Sequence, residues 1–368
     1  MRARRLTAVA LAFVAALAVF TATRGRDERA AAGPRPARAD LVDAAGKAAT
    51  AHDFRRALRL ARRAGTLDAA PTLVDALVEL GRYRQAERAL QRLVDRKPAL
   101  AAYARISYLR ELHGDLDGAA AAMRRAVAAG AGRREDVASV LVLLGDLELA
   151  RGRHAAARRA FAGAEATLPG HAPALAGRAR LAAVRGDLAR ATALWRRALE
   201  RVPLPEYALA LGEAQLAAGD RRGAAQPAAG GRDGAARGTL DLVPVQYDLL
   251  SREGSDTRLE RALFEADHGD ARRAVALARA AWAAAPSVRA ADALGWALTR
   301  AGEPREGLSW ARRAVRLGSL DASFRFHAGM SALAAGRRAE GRRQLRIALA
   351  HGLDARPWLA GRAREALR

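Results

Sequence analysis

The chain contains no cysteine. That excludes a disulfide scaffold, thiolate metal sites, a cysteine nucleophile and a lipid-anchored bacterial lipoprotein. Lysine is almost missing too. Lys47 and Lys97 stand alone, so arginine carries nearly all of the positive charge behind a net +24. Aromatic residues make up only 5% of the chain, and period-two runs of Val, Ile, Thr and Tyr are absent, which argues against a sheet. There is no G-x-S-x-G, H-E-x-x-H, Walker A or Rossmann glycine pattern, so no catalytic residue, cofactor or enzyme class is implied. The seven histidines are scattered, and several fall beside turn residues, which gives no metal site. Asp267-His268 followed by Gly269-Asp270 sits at a helix end and turn, and carries no chemistry by itself.

What the chain does have is alanine, leucine and arginine, all strong helix formers, arranged with a period. Turn residues fall at His52, Gly81, Gly114, Gly152, Gly186, Gly219, Gly269, Gly302 and Gly336. Their spacings are 29, 33, 38, 34, 33, 50, 33 and 34 residues. An alanine commonly follows each turn five places on, and a proline often comes about twelve beyond that. In the stretch 67–98, Leu73 and Leu77 give one apolar face and Gly81 breaks the helix. Ala86, Leu90 and Leu93 give a second face, and Pro98 ends it. Two amphipathic helices joined by a tight turn make an antiparallel hairpin, with Ala86 allowing close approach.

The plan recurs as Leu144-Gly145, Gly152, Ala157, Phe161, Ala164 and Pro169, and again as Gly186, Ala191, Trp195, Ala198 and Pro203. With Leu211-Gly212 and Leu294-Gly295 it resembles the tetratricopeptide repeat over about residues 38–350, although most copies lack the first-helix Trp and Tyr. The phrases at 103–110 and 289–317 also resemble exported bacterial members. The resemblance implies an all-α, right-handed superhelical α-solenoid of about nine hairpins with a C-terminal capping helix. It also implies a concave face, built by the first helices, that holds a protein or peptide. The Lys/Asn carboxylate clamp of chaperone-binding relatives is missing here, so recognition of an acidic chain terminus is not expected.

The organisation expected is a signal peptide or membrane anchor at 1–23, an Ala/Arg/Pro-rich tether at 24–37 and a first repeat block at 38–222. A Gly/Pro-rich interruption at 223–246, a second block at 247–350 and a cap at 351–368 follow. Residues 1–5 carry three arginines, and residues 6–23 carry no charge over a length between that of a leader and that of a span. The arginines at 24, 26 and 29 weaken the positive-inside bias. Export, or an anchor with the repeats outside the membrane, is the favoured reading, and an inverted anchor facing the cytoplasm is the alternative. The 50-residue spacing exceeds the period by about 16 residues. With Pro227, Pro244 and five glycines, the interruption reads as a surface loop, helical again only near 245. The cap is expected to be anchored by Trp358 and Leu359.

Counting from each turn places Asp75, Tyr108, Asp146, Arg180, Glu213, Trp296 and Met330 on the inward face, with His327 one turn earlier in the last groove. Carboxylates gather in the first half and apolar groups in the second, a pattern suited to a basic-then-apolar peptide. Ordinary packing and solvation of a groove is the competing reading. The pairs Arg62-Arg63, Arg124-Arg125, Arg196-Arg197 and Arg312-Arg313 fall on an outer face, either solvated or serving an anionic partner. Three functions therefore compete: an interaction scaffold at the cell envelope, an accessory subunit of an envelope transport or enzyme complex, and a polyanion binder. An unidentified protein or peptide is the expected partner. Neither nucleic acid nor a small molecule is indicated.

Overall fold

A computed structural model describes residues 37–130, 133–223 and 231–368. The expected leader at 1–23, and the tether up to residue 36, lie outside the described residues. Among those residues there are helices and turns but no strand. No helix among them is long and apolar enough to cross a membrane.

The helices pair in chain order. The first hairpin is α1 (Arg38–Thr50) with α2 (Phe54–Ala64), and the second α3 (Ala70–Glu79) with α4 (Tyr83–Arg96). The third is α5 (Leu100–Leu112) with α6 (Leu116–Ala128), the fourth α7 (Arg134–Ala150) with α8 (His154–Thr167), and the fifth α9 (Ala172–Val184) with α10 (Leu188–Arg201). The sixth joins α11 (Pro205–Gly223) to α12 (Gly231–Leu240), and an additional helix, α13 (Leu242–Arg252), follows. Then come α14 (Arg258–His268) with α15 (Ala271–Ala284), α16 (Val288–Arg300) with α17 (Pro304–Ala314), and α18 (Ala322–Ala334) with α19 (Arg338–Ala350). A single 3-10 turn at Leu353–Ala355 leads to the terminal helix α20 (Pro357–Leu367).

Local chemistry explains the hairpins. The residue after a turn is repeatedly an aspartate whose carboxylate accepts an amide hydrogen at the start of the second helix. Asp53 does so from Arg56, Asp115 from Gly118, Asp187 from Arg190 and Asp270 from Arg273, at 2.8–3.0 Å. Such a cap satisfies an amide that the helix itself leaves unpaired and is worth about 1 kcal/mol. Small residues then set the depth of packing. Phe161, with no exposed surface, fills a slot between Gly145 of its own hairpin and Gly177 of the next. A Cβ on either glycine would fall on the Phe161 ring, so the Leu-Gly pair of the repeat reads physically as room for a partner ring.

The interruption differs from expectation. Gly219 lies inside α11, not at a turn, and helix resumes at Gly231, well before 245. The alanines and arginines around Gly219 favour helix, so α11 continues to Gly223. Pro244 does not prevent α13, because it falls in the first turn, where no helical partner needs its missing amide hydrogen. Val243 and Tyr247 turn that helix inward, while Leu242, Val245 and Leu249 stand exposed.

The superhelix then returns to its own beginning. Four consecutive early turns meet four consecutive late linkers. Asp256 donates its amide hydrogen to the Ala51 carbonyl at 3.0 Å, and His52 Nδ1 lies 2.9 Å from the Asp256 carbonyl. At the second turn Gly81 abuts Pro286, and the Val288 amide donates to the Tyr83 hydroxyl at 2.8 Å. At the third Gly114 abuts Gly318, and at the fourth His351 Nδ1 lies 3.1 Å from the Ala150 carbonyl. Arg55 adds two bonds, to the carbonyls of Ala283 and Ala284, at 2.7 and 3.1 Å. Consequently the first hairpin touches the seventh, and the solenoid is wound tightly enough for successive turns to join.

Candidate functional site

Winding of this kind encloses the concave face. The first helices of the hairpins point inward and surround a cavity of about 610 Å³. Its lining comes mainly from α5, α9, α11, α13, α14, α16 and α18, with Thr50 of α1, His52, Trp195 of α10, the linker before α14 and the segment that opens α20. That volume lies in the usual range for a recognition pocket.

Of the inward residues expected from the sequence, Tyr108, Arg180, Glu213 and His327 line the cavity. The other four stand outside its lining, for identifiable reasons. Asp75 is buried under Arg105, whose guanidinium reaches both carboxylate oxygens at 2.8 and 2.5 Å and also the Pro71 carbonyl. Asp146 pairs with Arg180 through two bonds of 2.9 and 2.7 Å, and so orients a lining residue from behind. Trp296, 1% exposed, stacks on His327 with ring centres 4.8 Å apart and donates its indole hydrogen to Asp267 at 3.1 Å. Met330 packs against the same apolar core. Trp296 is therefore part of the core and not a groove anchor.

Glu213 is not a free groove carboxylate either. It accepts from Arg356 at 2.8 Å and lies 3.4 Å from His268 Nε2. Burial would push its carboxyl up, but Arg356 and His268 outweigh burial and hold it below the ordinary range. Arg356 stands at the head of α20, so the cap reaches back across the cavity to α11 as well as covering the last hairpin. Leu359 is fully buried, and Trp358 packs against His268 at 4.6 Å.

Electrostatically, the interior opposes the exterior. The chain carries +24 overall, yet the cavity presents eight carboxylates against three arginines. Burial, reinforced by the nearby carboxylates Asp321 and Asp146, pushes Glu111 up to about 8. Burial pushes Glu206 well above the carboxylate range, with Glu260 adding to the effect. The arginine pairs at 62–63, 124–125, 196–197 and 312–313 are all exposed on the second helices, as the sequence pattern implied.

Three components of this site escaped the sequence reading. Glu206 and Glu111 sit one or two turns away from the counted positions. Tyr247 and Leu250 come from α13, inside the segment expected to be mostly loop. His52 counts only as a turn residue in the sequence, but it holds a left-handed φ of 60°, stacks on Phe54 and bonds across to Asp256. Aspartate or glutamate at first-helix positions that face no arginine one repeat away would have been the usable signal.

The sequence profile of the tetratricopeptide repeat matches residues 72–134, 113–172 and 142–204. Among solved structures, the chain is similar to the APC/C hetero-tetramer Cut9-Hcn1, at 16% identity over 90% of this chain and 63% of that one, with a TM-score of 0.43. It thus spans less than two thirds of that relative. It is similar to the P58(IPK) TPR domain at 14% identity, over 90% and 98% of the two chains, with a TM-score of 0.27. It is also similar to a tetratricopeptide repeat protein from Parabacteroides merdae at 13% identity, over 86% and 98%, with a TM-score of 0.32. No catalytic family is among these matches, and no curated protein matches.

Proposed function

We propose that this tetratricopeptide-repeat chain is a non-enzymatic interaction scaffold that admits a segment of a partner protein into the interior of its superhelix. Tetratricopeptide repeats mediate protein–protein interaction, which gives the general class. The observation that carries the specific reading is the cavity of about 610 Å³ on the concave face, walled mainly by first helices from widely separated hairpins. A recess of this size takes a few side chains or a chain end, not a long extended peptide. The wall combines apolar side chains with eight carboxylates and three arginines, so affinity would come from a small number of well-seated anchors.

The same proposal places the scaffold at the cell envelope, with residues 6–23 acting as leader or tether, on the strength of the basic start and the uncharged stretch that follows. Service as an assembly subunit of an envelope complex is the variant of this reading in which the partner is a permanent neighbour. A photo-crosslinker replacing Leu209, which lines the cavity, or Arg190 on the outer face, tests it in the full chain within cells. The expected result is a protein adduct in the envelope fraction from position 209 only. Adducts confined to position 190, or recovered from the cytosol alone, would contradict it. Polyanion binding through the exposed arginine pairs is the second reading, and a steep loss of affinity with added salt would mark it.

A further inference from the structure

The charges lining the cavity do not balance, and the residues left over are specific. Arg180 is matched by Asp146, Arg289 by Glu79 at 3.5 Å and Glu260 at 3.4 Å, and Arg356 by Glu213. With those pairs set aside, Glu111 has no hydrogen-bond or ion-pair partner among the described residues. Asp321, an exposed residue, uses one oxygen to cap α18 through the Phe324 amide, at 2.9 Å, and forms no ion pair within 4.0 Å among the described residues. Asp292 is 2% exposed; one of its oxygens meets His327 Nδ1 at 2.9 Å, and the other, Oδ1, accepts nothing. His327 Nε2 is also buried without a partner. A second such point stands on α11, where both Glu206 oxygens are buried and accept no hydrogen bond from another residue.

Buried carboxylate oxygens without donors are costly, and native proteins keep few of them. Asp292 and Glu206 hold such oxygens here, and with Glu111 and Asp321 they line one recess with an apolar wall that includes Leu209, Tyr247, Leu250 and Phe264. Acceptors without donors, gathered in a cavity large enough for a side chain, describe the complement of a cation carried on an apolar stem.

We infer that the cavity receives an arginine or lysine side chain of the partner segment, its guanidinium or ammonium seated at Glu111, Asp292 and Asp321 and its stem against the apolar wall. This deepens the interior-binding reading and rests on it. The three carboxylates belong to the lining of one and the same cavity. In the empty cavity Glu111 relieves its burial by keeping a proton, up to a pH of about 8. An entering cation favours the ionised carboxylate, so binding releases that proton and strengthens as pH rises toward that value.

Calorimetric titration of the full chain tests this with three probes: acetyl-Leu-Arg-Leu-amide, the same tripeptide with citrulline in place of arginine, and agmatine. The expected result is binding of the arginine peptide at least tenfold tighter than the citrulline peptide, reduced at least tenfold by Glu111→Gln. Glutamine copies the shape of the protonated carboxyl, so this variant should fold, which its circular dichroism checks. As a readout independent of any variant, the wild-type affinity should rise between pH 6 and pH 8.5. Equal affinity for the arginine and citrulline peptides, or undiminished binding by Glu111→Gln, would overturn the inference. Agmatine binding as tightly as the peptide would assign the site to a free organic cation and overturn its assignment to a partner side chain. None of these outcomes depends on the crosslinking result, so the interior-binding reading can stand if the cation inference falls.

Discussion

Gly81 and Gly114 at one end of the repeat array, and Gly302 and Gly336 at the other, perform the same local task with φ between 67° and 88°. Their surroundings differ completely. A Cβ at position 81 or 114 would fall on the carbonyl of Pro286 or Gly318, whereas at 302 or 336 it would meet nothing within 4 Å. The period of the repeat fixes the turn, but the pitch of the superhelix decides which turns also become joints. Early turns are therefore parts of a closure, and late ones are simple reversals.

Breaking the closure through its buried charge should have the largest effect. Arg356→Ala leaves Glu213 buried with only His268 beside it, and a loss of about 3 kcal/mol or more is expected in urea unfolding. Arg312→Ala is the matched control. Its bidentate pair with Glu340 lies at the surface and should be worth about 1 kcal/mol or less.

Next comes the glycine comparison itself. Gly302→Ala costs only the left-handed backbone, about 1–2 kcal/mol. Gly81→Ala bears that cost and must also push the Pro286 carbonyl away, so its destabilisation should be at least roughly twice as large. Equal effects at 81 and 302 would show that the early turns are not joints.

The remaining test is a slope with pH. Glu111 titrates near its ordinary 4.5 when unfolded and at about 8 when folded, pushed up by burial and by the carboxylates Asp321 and Asp146. Between those values the folded state holds the extra proton, so stability falls as pH rises from about 4.5 to about 8. Thermal melts at pH 5 and pH 8 should show this contribution as a difference of a few degrees that narrows in Glu111→Gln.

The hairpins were legible because their causes are local. A turn glycine, a capping aspartate and an alanine opposite a large neighbour all act within one repeat, and the spacing of Leu144-Gly145, Gly152 and Phe161 encodes them. Four of the eight residues counted inward, Tyr108, Arg180, Glu213 and His327, line the cavity for the same reason. The remainder depends on what lies six hairpins away. Nothing near His52 announces Asp256, and nothing near Gly81 announces Pro286. Trp296 counts onto the inward face yet is buried, because counting from a turn gives the helix face but not how deeply the next hairpin covers it. Likewise the interruption, rich in glycine, hides an amphipathic helix whose apolar side, Val243 and Tyr247, finds a partner only when the superhelix forms.

The closure itself can be trapped directly. Because the chain has no cysteine, Ala51→Cys with Asp256→Cys gives a clean pair at a point where the two backbones share a hydrogen bond of 3.0 Å. Backbones so paired bring their Cα atoms within the roughly 4.4–6.8 Å that a disulfide spans. The account predicts rapid, near-complete oxidation of this pair in the folded full-length chain under mild oxidant. Two thiols that stay free and alkylatable while the protein remains folded would show that the superhelix does not return to its first hairpin.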